Sequence, residues 1–103
     1  MIEKTRLEKE DFDNSVIYFG AVAWCQPCKF LHPLMEQMSV KYKDLSFVYV
    51  DADNAPDLLK EHQVFSVPTI KIFNGGEEKR SFVGIQSKNV FDQEFSEYSE
   101  VTE

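Results

Sequence analysis

The residues best suited to do chemistry are two cysteines in the stretch AVAWCQPCKF, residues 21–30. Cys25 and Cys28 are separated by two residues, one of them Pro27, and the chain has no further cysteine. A thiol pair at this spacing can exchange electrons with a disulfide, contribute to a metal site or form a structural disulfide. Redox exchange is favoured over a structural clasp, because a disulfide closing so short a loop would restrict the unfolded chain very little.

The metal alternative is a site or cluster shared between chains. A zinc site needs four ligands, and only His32 and His62 are available in this chain to complete the cysteine pair. His32 follows Cys28 by four residues on the same helix face, but Pro33 comes directly after it and distorts that turn. We therefore expect neither a metal ion nor another cofactor.

The elements around the cysteines follow from the spacing of apolar residues. We expect a buried strand, a helix, a second buried strand, a short helix, a hairpin of two strands and a last helix. The residues that mark them are Ser15–Val22; Leu31, Leu34, Met35 and Met38; Leu45–Asp51; Ala55–Gln63; Thr69–Phe73; Lys79–Val83; and Phe91, Phe95 and Tyr98. This order predicts an α/β fold with a short strand and a helical turn ahead of it. A parallel strand–helix–strand half is joined to an antiparallel hairpin in a mixed sheet of four to five strands, with helices on both faces.

Local signals set the ends of two elements. Asn54 is expected to cap the short helix, with Pro56 in its first turn. Asn74-Gly75-Gly76 predicts the hairpin turn, because Asn-Gly tolerates positive φ at both central positions.

The predicted elements place the two cysteines differently. Cys25 falls at the N-terminus of a helix that follows a buried strand, and Cys28 lies inside the first turn. Backbone N–H groups at a helix N-terminus favour a thiolate, so we expect Cys25 to be the nucleophile. Cys28 is then positioned to attack Cys25 in a mixed disulfide.

Composition excludes several classes of function. The 103 residues carry a net charge of −7 without a basic patch, which argues against a nucleic-acid partner. No apolar run approaches the roughly 20 residues of a membrane span. The N-terminal sequence MIEKTRLEKEDFD is too charged for a secretory segment, so we expect a cytoplasmic protein. The length predicts one domain, residues 1–103.

Several motifs, in order and spacing, make the chain similar to the thioredoxin family over about residues 15 to 98. The cysteine segment, Trp24 to Lys29, resembles the family's Trp-Cys-Gly-Pro-Cys-Lys. The further matches are Pro33 at the position of a helix-kinking proline, Ser66-Val67-Pro68-Thr69 to the family's Ile-Pro-Thr, Asn74-Gly75-Gly76-Glu77 to its hairpin turn, and Val83-Gly84 to the glycine beside its substrate groove.

The resemblance implies a thioredoxin fold and a thiol–disulfide oxidoreductase that acts as a protein-disulfide reductase. Cys25 would attack a substrate disulfide and Cys28 would resolve the mixed disulfide. The implied partners are disulfide-containing proteins and a thioredoxin-reductase-type electron donor, and we expect a monomer. The residues implied to border the substrate groove are Trp24, Gln26, Pro27, Val67, Pro68, with a cis peptide bond before it, and Gly84.

Four residues depart from the family pattern. Phe19 stands where thioredoxins carry a buried aspartate, and Tyr49 where an associated lysine is common. We interpret the two aromatics as one polar pair exchanged for apolar packing. Ala21 replaces a tryptophan at the groove, and Gln26 replaces a glycine between the cysteines.

Loss of the aspartate affects proton transfer at Cys28. Without it, Cys28 should deprotonate less readily, and exchange with general substrates should be slower. His32 is a possible proton-transfer group if its ring reaches Cys28, whereas an exposed helix histidine is the simpler interpretation.

Two other functions remain open. One is a dedicated redox carrier for a single partner protein, which the four departures favour. The other is a thioredoxin-like binding module with weak general activity, in which the cysteines are vestigial.

Overall fold

The structure, a computed structural model, describes residues 1–100, so residues 101–103 of the predicted domain lie outside the described part. Its elements are β1 (Ile2–Glu3), β2 (Asn14–Gly20), α1 (Gln26–Lys41), β3 (Ser46–Asp51), α2 (Pro56–Glu61), β4 (Thr69–Asn74), β5 (Glu77–Val83) and α3 (Lys88–Tyr98). A 3₁₀ turn, Lys9–Phe12, precedes β2. The predicted α/β order is confirmed, including the short strand and helical turn at its start.

The five strands form one mixed sheet in the order β1–β3–β2–β4–β5. β1 and β2 run parallel to β3, whereas β4 runs antiparallel to both β2 and β5. The central strand β2 is buried from Ser15 to Gly20, as its nearly continuous apolar sequence predicts. Its C-terminal end leads directly into the loop that carries the two cysteines.

Helices cover both faces of the sheet, and β2 contributes to the core on each face because its alternate side chains point to opposite sides. Val16 and Tyr18 face a core that α1 and α3 complete, with Leu31, Met35, Met38, Phe91 and Phe95. Ile17 and Phe19 face a second core with Leu58 of α2, Val64 and Phe73. In the described part of the chain, no helix is both long and apolar enough to cross a bilayer.

The N-terminus of α2 differs from its prediction. Pro56 begins the helix as expected, but the N-cap residue is Ala55, which makes no side-chain capping bond. Asn54 instead donates through Nδ2 to the carboxylate of Glu3, at 2.9 Å. The predicted Asn54 cap is wrong because this side chain is used in a contact with β1.

The hairpin forms where it was predicted, with a different turn. Gly75 and Gly76 take the positive φ values, 63° and 84°, and Asn74 is the last residue of β4, paired with Glu77. Two glycines offer less steric resistance to this conformation than Asn-Gly, so the turn shifts by one residue.

Candidate active site

The two cysteines lie at the N-terminus of α1, immediately after the turn that follows β2. Cys25 is the N-cap residue, and its sulfur accepts a hydrogen bond from the Cys28 N–H at 3.2 Å. Pro27 suits the first turn of the helix because it has no N–H that needs a partner there. The two sulfurs are joined in a disulfide, so the structure shows the oxidised form of the pair.

The two sulfurs have unequal surroundings. Cys25 is 6% exposed and Cys28 is fully buried. The Cys28 sulfur accepts a hydrogen bond from the N–H of Ala21, at 3.4 Å, at the end of β2. An incoming disulfide would therefore meet Cys25 first, as the predicted order of attack requires.

A single peptide unit, which joins Ala21 to Val22, ties this turn together. Its carbonyl accepts from the N–H groups of Trp24 and Cys25, at 3.1 and 2.8 Å. Its N–H donates to the hydroxyl of Tyr49 at 3.2 Å. Both polar groups of this unit, the 21–22 peptide, are thus hydrogen-bonded.

Three predicted groove residues come together beside Cys25. The Val67–Pro68 peptide bond is cis, as the family resemblance implied. The Val67 carbonyl oxygen lies 3.9 Å from the Cys25 sulfur, and the Gly84 N–H donates to the Pro68 carbonyl at 2.8 Å. The loop that leads into β4 therefore presents backbone next to the less buried of the two sulfurs.

The remaining groove residues lie on the cysteine side. Gln26 and Pro27 are exposed. Trp24 is 61% exposed, and its indole N–H donates to both carboxylate oxygens of Asp53, at 3.1 and 3.2 Å. Sequence reasoning missed Asp53 as a site residue, although an acidic residue just after a parallel strand is a usable signal.

His32 packs inward instead of projecting into solvent. Its half-buried ring lies 5.0 Å from the ring of Tyr49 and 5.7 Å from that of Tyr18, between centroids. Its Nδ1 is buried and has no hydrogen-bond partner. The interpretation as an exposed helix histidine is therefore wrong. Within residues 1–100 its side chain makes no hydrogen bond to either cysteine, and a proton-transfer role stays a prediction.

Phe19 and Tyr49 are not an exchanged pair. Phe19 is in register with Val50 and faces α2, whereas Tyr49 is in register with Tyr18 and faces α1. The Tyr49 hydroxyl also donates to the buried carboxylate of Asp51 at 2.6 Å. The sequence interpretation is wrong because the two rings lie on opposite faces of the sheet, and one of them remains polar.

Two buried tyrosines replace the expected apolar environment next to the helix N-terminus. The Tyr18 hydroxyl donates to the Cys28 carbonyl at 3.1 Å. Burial raises the pKa of Tyr18 and of Tyr49, and the nearby Asp51 acts in the same direction on both. Both hydroxyls therefore keep their protons and act as hydrogen-bond donors.

Comparison with known proteins now identifies the family. The Thioredoxin family model matches residues 4–97. This chain belongs to the thioredoxin family. The members of this family are thiol–disulfide oxidoreductases. The five-stranded mixed sheet with its three helices is thus a thioredoxin fold.

Relatives and solved structures agree with this assignment. Thioredoxin from Mycoplasma genitalium is 35% identical over 75 residues, which cover 73% of this chain and 72% of that protein. Thioredoxin H5 from Oryza sativa is 33% identical over 82 residues, 80% of this chain and 61% of that protein. The crystal structure of thioredoxin NaTrxh from Nicotiana alata superposes with a TM-score of 0.79 at 33% identity, covering 89% and 78% of the two chains.

The chain is shorter than some of the proteins that it matches. It spans 61% of rice thioredoxin H5 and 16% of the human Thioredoxin domain-containing protein 2, to which it is 33% identical over 89 residues.

Proposed function

We propose that this chain is a protein-disulfide reductase in which Cys25 attacks and Cys28 resolves. The observation that carries the proposal is the Cys25–Cys28 disulfide at the N-terminus of α1, with one sulfur near the surface and the other fully buried. A helix N-terminus favours a thiolate, and the Cys28 N–H is already directed at the Cys25 sulfur.

The reaction transfers two electrons in two exchange steps. The Cys25 thiolate attacks one sulfur of the substrate disulfide, the substrate S–S bond breaks, and its second sulfur leaves as a thiolate that takes up a proton. Cys28 then attacks Cys25, which forms the intramolecular disulfide and releases the first substrate sulfur as a thiol. A thioredoxin-reductase-type donor would reduce the pair again.

The proposal includes the protein's setting. The substrates are disulfide-containing proteins, whose extended segment would bond to the backbone of Val67 as an added strand. We propose a single domain over residues 1–103 that acts as a monomer in a reducing cytoplasm and needs no cofactor, because the thiol pair carries the electrons itself.

A narrower role, as a dedicated redox carrier for one partner, is favoured by the apolar surface around the site. Trp24, next to Cys25, and Phe65, two residues before Val67, are 61% and 90% exposed. Trp24 and Phe65 thus lie on the two segments that meet at the Cys25 sulfur, and exposed apolar groups on both sides of a site suit a protein partner. A partner with a matching apolar surface would be reduced in preference to others.

Trapping of the mixed disulfide tests the proposal. The reduced chain is mixed with insulin, and we expect turnover with dithiothreitol as electron source. Cys25→Ser should abolish turnover, whereas Cys28→Ser should accumulate a covalent complex through Cys25, because the resolving thiol is missing. We also expect a reduction potential below about −230 mV for the wild-type pair.

Wild-type turnover no faster than dithiothreitol alone would contradict a general reductase. Formation of the Cys28→Ser adduct without turnover would favour the dedicated carrier. Absence of both adduct and turnover would favour the binding module.

A further inference from the structure

The Tyr49 side chain anchors the backbone at the start of the turn that holds both cysteines. The 21–22 peptide receives the N–H of Cys25 on its carbonyl and gives its own N–H to the Tyr49 hydroxyl. The residue that begins this peptide, Ala21, directs its N–H at the Cys28 sulfur. The Ala21 N–H and carbonyl, which contact the two cysteines, therefore lie next to the Val22 N–H that Tyr49 holds. The peptide before them is held by the Ala52 N–H, which donates to the Gly20 carbonyl at 2.8 Å.

Asp51 fixes the direction of the Tyr49 hydroxyl. The hydroxyl hydrogen goes to Asp51 Oδ2 at 2.6 Å, which leaves the oxygen lone pairs to accept from Val22. The other carboxylate oxygen of Asp51 accepts from the Asp53 N–H at 2.9 Å. Tyr49 and Asp51 are 3% and 7% exposed, so water competes little with these bonds.

We propose that Tyr49 is a positioning residue for the resolving step, acting through the 21–22 peptide. Held by Asp51, it keeps the Ala21 N–H directed at the Cys28 sulfur, so that this donor stabilises the Cys28 thiolate. The inference rests on the proposed reductase function and assigns a device to its second step.

The step in question is balanced without an added reagent. The Cys28 thiolate attacks the Cys25 sulfur of the mixed disulfide, a bond forms between the two, and the bond from Cys25 to the partner sulfur breaks. The partner sulfur leaves with the electron pair, and the proton that Cys28 gave up is matched by the proton that the departing thiolate takes. A hydrogen bond to a thiolate is charge-assisted, so its alignment matters more in this step than in the disulfide.

Several titratable groups face Tyr49. Tyr18 from β2, His32 from α1 and Asp51 from β3 pack around its ring, and Glu3 of β1 and Glu36 of α1 line the same cavity as its side chain. Tyr18 bonds to the Cys28 carbonyl rather than to the 21–22 peptide. All of these groups stay unchanged in the variant Tyr49→Phe, which removes only the hydroxyl.

The test separates the two exchange steps in one trace. The reduced chain is mixed with the symmetric aromatic disulfide of thionitrobenzoate. Each thionitrobenzoate that is released as a thiolate is coloured. Attack by Cys25 releases the first equivalent, and resolution by Cys28 releases the second. We expect Tyr49→Phe to slow the second release about five- to tenfold, the effect of one lost hydrogen bond, and to leave the first within about twofold. The pH midpoint of the second release should move upward.

Tyr42→Phe is the matched control. Tyr42 is also a buried tyrosine, and its hydroxyl contacts a carboxylate, that of Asp92, but it lies at the opposite end of α1. The variant Tyr42→Phe also removes one tyrosine hydroxyl, and it should leave the rates of both releases and their pH profile unchanged.

Two variants of Asp51 test the same device without altering Tyr49. Asp51→Ala removes the acceptor of the Tyr49 hydroxyl and should slow the second release as Tyr49→Phe does. Asp51→Asn keeps one oxygen that can accept from the Tyr49 hydroxyl, so it should slow the second release less than Asp51→Ala does.

Each outcome of these release measurements either supports or overturns the inference. Selective slowing of the second release in Tyr49→Phe and Asp51→Ala, absent in Tyr42→Phe, supports the inference. If Tyr49→Phe and Asp51→Ala release both equivalents at wild-type rates, or if they slow both releases equally, the inference about Tyr49 is overturned while the reductase proposal stands. A wild-type chain that releases no second equivalent overturns the reductase proposal and this inference with it.

Discussion

At the scale of single residues, the aromatic surroundings of His62 change the pKa of its ring. The ring of His62 lies 5.6 Å from that of Phe12, 5.9 Å from that of Phe19 and 6.0 Å from that of Phe73, between centroids. Burial is the largest effect and lowers the pKa of His62. The charge of Glu61 opposes it, Lys71 lowers the pKa further, and Glu78 has the smallest effect, in the opposing direction. The fold therefore favours the neutral ring.

This gives a prediction for stability against pH. Because the folded state binds a proton at His62 less readily than the unfolded chain, the free energy of unfolding should fall as the pH drops below about 6.5. Urea unfolding at pH 7.5 and at pH 5.5 measures the difference. His62→Leu, which cannot titrate, should flatten this dependence.

The other histidine supplies the control. If His32→Leu flattens the pH dependence and His62→Leu does not, the attribution to the phenylalanine-lined site is wrong.

At the scale of elements, β2 connects the two cores to the cysteine turn. Its side chains alternate between the two layers, and its last residue, Gly20, lies against the ring of Tyr18. A Cβ at Gly20 would come within 2.7 Å of that ring and 2.9 Å of its hydroxyl oxygen. The absence of a side chain at Gly20 thus leaves Tyr18 free to reach the Cys28 carbonyl.

Gly20→Ala should destabilise the fold by about 1 to 3 kcal/mol, because the fully buried Tyr18 ring cannot move away freely. Denaturant unfolding measures the loss. A double-mutant cycle with Tyr18→Leu isolates the contact, and the cost of Gly20→Ala should shrink when the large ring is absent. An equal cost in both backgrounds would show that the contact is not the cause.

At the scale of the whole molecule, three aspartates connect separate segments of the chain. Asp11 pairs with Lys4 at 2.6 Å, which joins the 3₁₀ turn to the segment after β1. Asp44 accepts from the backbone N–H of Glu100 at 2.6 Å, beyond the end of α3. Asp92 of α3 pairs with Lys41 of α1 at 2.8 Å. These three carboxylates thus hold the N-terminal segment, the end of the described chain and the helices α1 and α3 in place.

Asp92 supplies the prediction at this scale. The hydrogen bond from Lys41, followed by that from Tyr42, lowers the pKa of Asp92 below 3.8. Its contribution is therefore present above pH 3.8 and lost as the pH falls through the folded-state value. Asp92→Asn should reduce the free energy of unfolding at pH 7 by about 1 kcal/mol, since the pair is one-third exposed.

The difference between Asp92→Asn and the wild type should vanish in acid, where wild-type Asp92 is protonated too. Glu97→Gln, on an exposed position of the same helix, controls for removal of one negative charge and should change stability little. Equal effects of the two variants at pH 7 would assign the loss to net charge instead of the Lys41 contact.

The sequence by itself determined where the thiol pair lies and most of the fold. The short spacing of Cys25 and Cys28, the buried-strand pattern before them and the helical pattern after them are local signals, and local signals carry over directly into strands, helices and the N-terminal position of a thiol. The order of elements followed in the same way, and only the Asn54 cap and the turn at Gly75-Gly76 differed, because neighbours offered better partners or lower strain.

Only the tertiary structure decided which side chains meet at the site. The contacts of Val22 with Tyr49, Trp24 with Asp53, and Cys25 with Val67 join residues 27, 29 and 42 positions apart. Most of these residues lie in loops, which meet because the sheet brings the ends of its strands together. Tyr49 lies in β3, where a shift of one residue in register would turn its side chain to the opposite face. That dependence on register is why Phe19 and Tyr49, taken from the sequence as a pair, lie on opposite faces, and why the anchoring role proposed for Tyr49 emerged only in three dimensions.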